Sequence, residues 1–518
     1  MTRIVTTRPP DGPTASRFYR EGYWRPALPA GDRLSHISAG GTRTALVDNN
    51  LHWTYQDLSG AVRTSARSMK AAGVTSDDAV LIVAPLTNAA AASYLATQLI
   101  GNVAVLLDRR CGMADVDTAF AAAPKIAWAT RADATRLHLD ARCPVLYLDN
   151  DAECTDSAPE DLAHIIDPDV ASLVVFTSGT TSSPKGVVHT RNSLRCGVAN
   201  MTAAMNVTGE DGFFLSSPLA SITGVLQLET ALAIHAAVIL EDRFESSASL
   251  ERLRRNRATL LGGAPIICDE LFAECQRQNI DQLSLRCIAL GGSMITQPVL
   301  ANARRFGIEP VRVYGSSEAP FSTATQLGSG AALEDEGTAL PGVEVAVGDS
   351  DELLIRGPHQ FHGYLDTGDN DSGFSGQWVR TGDQAVIDDA HRVRISGRLK
   401  DVAIRKGMKV SLTEIDAAAA ALGDCAAYAI ADPATGERAA LAIYPRSQST
   451  LSYSAVTQQL LEFGLAKWKL PEQIVIWNRP LPRTPSGKVV RRQLSSAEQD
   501  CQTFYAPRLT RTAPSEEE

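Results

Sequence analysis

The chain of 518 residues has no excess of basic charge: 59 acidic against 49 basic side chains leave a net charge of −10. That excludes a broad nucleic-acid surface, which needs a basic patch or stripe. Cations that converge in one place therefore need a local reason. The nine cysteines are scattered singly. The absence of CxxC or Cys/His metal spacing excludes a zinc module or disulfide framework and points to reduced thiols in a cytoplasmic protein. The first ten residues lack an apolar segment of the secretory kind, and no repeat of fixed period is present. A membrane span is also rejected, although residues 79–107 carry no charge. Pro85, Asn88, Gln98, Gly101 and Asn102 interrupt the run, so a strand at 79–84, a helix at 87–100 and a second strand at 103–107 fit it better.

What is present is alternation. Short β-rich apolar runs at 79–84, 103–107, 171–176, 238–240, 287–290 and 311–314 are separated by longer helical patterns. This predicts an α/β fold of parallel sheets covered by helices. From 337 to 395 short strands split by Gly, Pro and Asp predict a small β-barrel-like section. A break at 397–401 precedes about a hundred residues of mixed helix and strand. The expected division is 1–398 for a large N-terminal domain, 399–505 for a small mobile α+β domain, and 506–518 for a disordered tail rich in Pro, Thr and Glu.

The strongest local signal follows the apolar run at 171–175: Phe176-Thr-Ser-Gly-Thr-Thr-Ser-Ser-Pro-Lys-Gly186. Glycine lets backbone approach an anion, hydroxyls and N–H groups donate, and Lys185 supplies charge. This is not a Walker A loop, because Lys185 is flanked by Pro184 and Gly186 rather than by Gly and Ser/Thr. Further along stand Ala289-Leu-Gly-Gly-Ser293, Tyr314-Gly-Ser-Ser-Glu-Ala319, Gly363-Tyr364, Arg380-Thr-Gly-Asp383, Ser396-Gly-Arg-Leu-Lys-Asp401 and Pro482-Arg-Thr-Pro-Ser-Gly-Lys488. Alone, most of these read as turns at strand ends.

In order and spacing, the series resembles the adenylate-forming superfamily: acyl-CoA synthetases, aryl-acid AMP ligases, nonribosomal adenylation domains and luciferases. Gly22-Tyr-Trp24, Phe361-x-Gly363 and Lys467-x-Lys-Leu-Pro471 look most like the aryl-acid AMP ligase branch. The resemblance runs from Trp53-Thr-Tyr55 to Leu494. It implies that Thr177, Ser178, Gly179, Thr180, Thr181 and Lys185 hold the ATP phosphates. Gly291, Gly292, Ser293, Tyr314, Gly315, Ser317, Asp383 and Arg398 would bind adenine and ribose, with Asp383 accepting both ribose hydroxyls. Glu318 would hold Mg²⁺, and Lys488 would be the catalytic lysine with Lys185 and Glu318 beside it. Lys400 would be the hinge, and Gly407 and Met408 would line the thiol tunnel. Gly363-Tyr364 reads as structural.

The acid pocket departs from the family pattern. The stretch Ser217-Pro-Leu-Ala-Ser-Ile-Thr-Gly224 contains no His, Asn or Asp, so no carboxylate is available to pair with an α-ammonium. Ser182 also stands where the family has glycine. With Ser221, Ile222, Thr223, Gly262 and Gly263 as lining, a mostly apolar pocket for an aryl or alkyl acid is expected.

The resemblance thus implies a ligase that makes an acyl-adenylate from ATP and a small carboxylic acid. The acyl group then passes to a thiol, either CoA or phosphopantetheine on an acyl carrier protein. Two other readings stay open: transfer to a nitrogen nucleophile, and a non-catalytic nucleotide-binding homologue.

Overall fold

A computed structural model describes residues 7–49, 51–149, 164–177, 184–263, 265–291, 295, 297–328, 335–399, 401–405, 408–432, 435–445, 451–484, 487–495 and 501–510. Two largely parallel sheets form the body. One has six strands in the order Gly186–Thr190, Ala171–Phe176, Val103–Asp108, Ala79–Ala84, Ile126–Ala129 and Val145–Tyr147; only Gly186–Thr190 runs antiparallel. The other has nine strands, with Glu309–Tyr314, Cys287–Leu290, Leu260–Gly263, Gly212–Leu215, Ala237–Leu240 and Thr44–Val47 as its parallel centre.

The charge-free run at 79–107 is a strand–helix–strand unit inside the first sheet. Its helix, Asn88–Ile100, starts where the Thr87 side chain accepts the Ala90 N–H and stops at Gly101, whose φ of +97° few other residues adopt. Nearly every side chain of this helix is buried. Its lack of charge therefore reflects burial on all faces by protein. Among the described residues no helix is long and apolar enough to cross a membrane.

The β-rich section differs from expectation in one respect. Glu344–Val347, Glu352–Arg356, Trp378–Ile387, Phe374–Ser375 and Val393–Arg398 form an open five-stranded antiparallel sheet, with no closure into a barrel among the described residues. Residues 402–505 build a six-stranded sheet of their own, with apolar clusters on both faces, around Leu441 and Ile474 on one side and Trp477 and Leu494 on the other. Residues 506–510, expected in the tail, are among the described residues. The Ala506 N–H donates to Glu472 O at 2.8 Å and Pro507–Thr510 forms a helical turn. Proline fits that first position because a helix's first N–H groups have no internal partner. Residues 511–518 lie outside the described residues.

At the carboxyl ends of the nine-stranded sheet, residues 216–218, 263, 291 and 313–318 are half-buried. That is where open parallel α/β sheets bind ligands.

Candidate active site

The phosphate-loop residues Ser178, Gly179, Thr180 and Thr181 lie outside the described residues; the two ends of the loop do not. The Thr177 N–H donates to Lys185 O at 3.0 Å, and the Lys185 N–H lies 3.4 Å from Thr177 Oγ1. The loop thus leaves the buried strand Ala171–Phe176 and returns along Gly186–Thr190. Lys185 Nζ pairs with Asp369 Oδ1 at 2.7 Å, donates to Ser372 Oγ at 3.0 Å and stands 4.9 Å from the centre of the Tyr364 ring.

Glu318 sits in the turn after strand Glu309–Tyr314. Gly315 is required in that turn: a Cβ there would come within 2.5 Å of Phe321 N. The Glu318 carboxylate accepts the Tyr364 hydroxyl proton at 2.9 Å, and Glu318 O accepts the Phe361 N–H at 2.7 Å. The segment 361–365 also runs antiparallel beside the strand after Lys185. His362 N–H donates to Val188 O at 2.8 Å, Val188 N–H to Gly363 O at 2.9 Å, and Leu365 N–H to Gly186 O at 2.7 Å. One extended segment therefore ties Lys185 and Glu318, far apart in sequence, into one frame.

A second tie comes from His189, a fully buried residue. Its Nε2 lies 2.8 Å from Ser317 O and its Nδ1 lies 3.0 Å from Ser193 Oγ. A carbonyl only accepts, so the proton resides on Nε2, and the ring is neutral. Burial pushes its pKa down to about 4; the nearby buried rings of His359 and His362 are pushed down to about 3 by burial and by the charge His189 takes on once protonated.

Asp383 and Arg398 face each other because strands Trp378–Ile387 and Val393–Arg398 pair with those two residues opposite. Arg398 Nε donates to Asp383 Oδ1 at 2.6 Å, and the Tyr314 hydroxyl donates to Asp383 Oδ2 at 2.6 Å. Burial, then the Asp383 charge, raises the Tyr314 pKa well above the usual phenol range, so it stays a donor. Each carboxylate oxygen keeps a further lone pair for a ligand hydroxyl.

Lys488 reaches the same place from the C-terminal sheet. It lies on a hairpin in which Thr484 N–H donates to Lys488 O at 2.7 Å and Lys488 N–H to Thr484 Oγ1 at 3.1 Å. Arg491 pins that hairpin. Its guanidinium contacts Asp401 Oδ2 at 2.8 Å, Asp416 Oδ2 at 2.5 Å and Ala427 O at 2.8 Å. Burial first, then the Arg398 charge, pulls the Lys488 pKa below the ordinary lysine value, while Asp383 and Glu318 oppose that shift. Lys488, half-buried, thus lies within electrostatic range of Arg398, Asp383 and Glu318.

The remaining expected residues divide. Gly291 closes strand Cys287–Leu290, where a Cβ would lie 2.5 Å from Val313 O; Gly292, Ser293, Lys400 and Gly407 lie outside the described residues. Ser221 caps helix Ile222–Ala233 by accepting the Gly224 N–H, Thr223 is half-buried, and Gly262 and Gly263 end the neighbouring strand. Gln227, from the same helix, lies fully buried against Gly262, so this region is less uniformly apolar than expected. Met408 is exposed on a hairpin edge. Sequence reasoning missed Tyr364, His189, Asp369 and Arg491, whose contacts arise only when distant segments cross.

A model of the AMP-binding enzyme family matches residues 36–365, more than half of the chain. The chain belongs to that family. It is 30% identical over 516 residues to the medium-chain fatty-acid–CoA ligase of Escherichia coli, covering 91% of this chain and 90% of that one. It is 27% identical to the indoleacetate–CoA ligase of Aromatoleum aromaticum, covering 88% and 95%. Among solved structures it resembles the amide bond synthetase of Marinactinospora thermotolerans at 25% identity, with a TM-score of 0.79 over 90% of this chain and 99% of that one.

Proposed function

We propose that this AMP-binding enzyme is an ATP-dependent carboxylic acid–CoA ligase that works by way of an acyl-adenylate. The observation that carries the reading is the frame in which Tyr364 touches both Lys185 and Glu318, while Asp383 is held by Tyr314 and Arg398. In the first step the acid's carboxylate oxygen attacks the α-phosphorus of ATP, the bond to the β-phosphate oxygen breaks, and pyrophosphate leaves. Lys185 and the loop Thr177–Thr181 hold the outer phosphates, Tyr314 and Asp383 hold the nucleoside, and Lys488 steadies charge that builds on the α-phosphate. Magnesium, when bound, supplies positive charge against the phosphates. Glu318 suits it, because this ion is commonly held by one or two carboxylates plus substrate oxygens.

In the second step the thiol loses its proton to solvent, the thiolate sulfur attacks the acyl carbon, the bond from that carbon to the AMP phosphate oxygen breaks, and AMP leaves. We read residues 1–398 and 399–505 as two domains that turn about Lys400, withdrawing Lys488 and bringing Gly407 and Met408 toward the thiol channel. The thiol is CoA, with carrier-bound phosphopantetheine as the alternative. The site is cytoplasmic, as suits nine cysteines scattered singly without CxxC spacing. The acid is aryl or alkyl, seated against Ser221, Ile222, Thr223, Gly262 and Gly263. The test is acid-dependent exchange of pyrophosphate into ATP over a panel of aryl and short-, medium- and long-chain acids, with CoA thioester measured by mass spectrometry. Absence of exchange with every acid would overturn the reading. A second reading, transfer to an amine, is favoured by the likeness to an amide bond synthetase. Amide rather than thioester, when amines and CoA compete, would support it.

A further inference from the structure

The side chain of Tyr364 touches both charged groups of the phosphate side. Its hydroxyl donates to Glu318 Oε1 at 2.9 Å, and its ring lies under Lys185 Nζ at 4.9 Å. The ring itself is fixed. Phe361 packs edge-on at 4.8 Å and is in turn stacked on Phe374 at 4.6 Å. The Tyr364 N–H donates to Asn370 Oδ1 at 2.8 Å. Gly363 holds φ at +107°, and Gly373 leaves room for the ring, since a Cβ there would lie 2.6 Å from Tyr364 Cε2. Tyr364 is 7% exposed. Burial and the Glu318 charge raise its pKa, so the phenol remains a donor.

We propose that Tyr364 is a positioning residue for adenylation: one rigid side chain sets the Glu318 carboxylate through its hydroxyl and the Lys185 ammonium through its ring face. A carboxylate free to rotate would meet a phosphate-bound cation in many orientations; one oxygen held by a phenol leaves the other turned to the ligand. A lysine resting on an aromatic face keeps its charge near the phosphates without a fixed hydrogen bond, so it can leave Asp369 and Ser372 for them. The proposal rests on the ligase reading above, and the test separates the two.

Tyr364→Phe removes the hydroxyl and keeps the ring; Tyr364→Leu removes both. Mn²⁺ binding to the full-length protein in the presence of ATP is measured by water proton relaxation, ATP binding by calorimetry, and folding by thermal melting. Tyr364→Phe is expected to weaken Mn²⁺ binding about tenfold, the lower end of the scale for one hydrogen bond to a charged acceptor, with ATP affinity at saturating Mn²⁺ nearly unchanged. Tyr364→Leu is expected to weaken Mn²⁺ binding equally and ATP binding a further several-fold. Unchanged Mn²⁺ and ATP affinities in both variants would overturn the proposal, as would equal losses in both variants that follow only a lowered melting temperature. A wild type that binds no ATP would overturn the ligase reading instead.

Discussion

Two halves of the site are built differently. The phosphate half, with Lys185, Glu318 and Tyr364, is tied by backbone hydrogen bonds between 186–188, 318 and 361–365, and by His189 on Ser317 O. The Lys488 hairpin is instead anchored to its own sheet and to Asp401 by Arg491, and it faces the other half through charge. The contrast fits the proposed reaction: groups assigned to adenylation alone are tied by backbone, whereas the one proposed to withdraw before thiol attack is carried on a separately packed sheet.

The comparison breaks most easily at Glu318. Glu318→Gln keeps an oxygen for Tyr364 but loses the charge, and should cut pyrophosphate exchange about a hundredfold with little change in melting temperature; full activity would remove this carboxylate from the account. On the other half, Arg491→Met strands two carboxylates. Burial already raises Asp416 to about 6 despite the arginine. Loss of these charged contacts should cost about 2 kcal/mol, seen by calorimetry, and exchange should fall about tenfold as Lys488 loses its fixed place.

Acid should loosen the phosphate half through its buried imidazoles. Their values are depressed from 6.5 to about 4 for His189 and about 3 for His359 and His362. The unfolded chain binds these protons first, so their stabilisation is complete above pH 6.5 and is lost as pH falls through 4 and 3. The slope is about 1.4 kcal/mol per pH unit per ring. Melting of His189→Gln should show a shallower decline between pH 6.5 and 4 than the wild type. The smallest effect is expected at Asp369. Asp369→Asn frees Lys185 from a half-exposed ion pair worth at most about 1 kcal/mol, so KM for ATP should fall by no more than about fivefold.

How much was legible follows the same physics. Strands Ala171–Phe176 and Cys287–Leu290 were readable because strands buried on both faces are unbroken apolar runs. The residue types of the site were readable from ordered motifs that follow such strands. The contact of Asp383 with Arg398 was not, since it depends on the register of two antiparallel strands. Tyr364 looked structural because its neighbours, Lys185 and Glu318, arrive from segments far away in the chain. The open form of the β-rich sheet was hidden for a related reason: short strands split by turns have the same pattern in a sheet and in a barrel.

The most direct test separates the two half-reactions in Lys488→Ala. Acid-dependent pyrophosphate exchange should fall at least about a hundredfold, while thioester formation from a supplied acyl-adenylate and CoA stays within a few-fold of wild type. Unchanged exchange, or an equal fall in both half-reactions, would contradict the account.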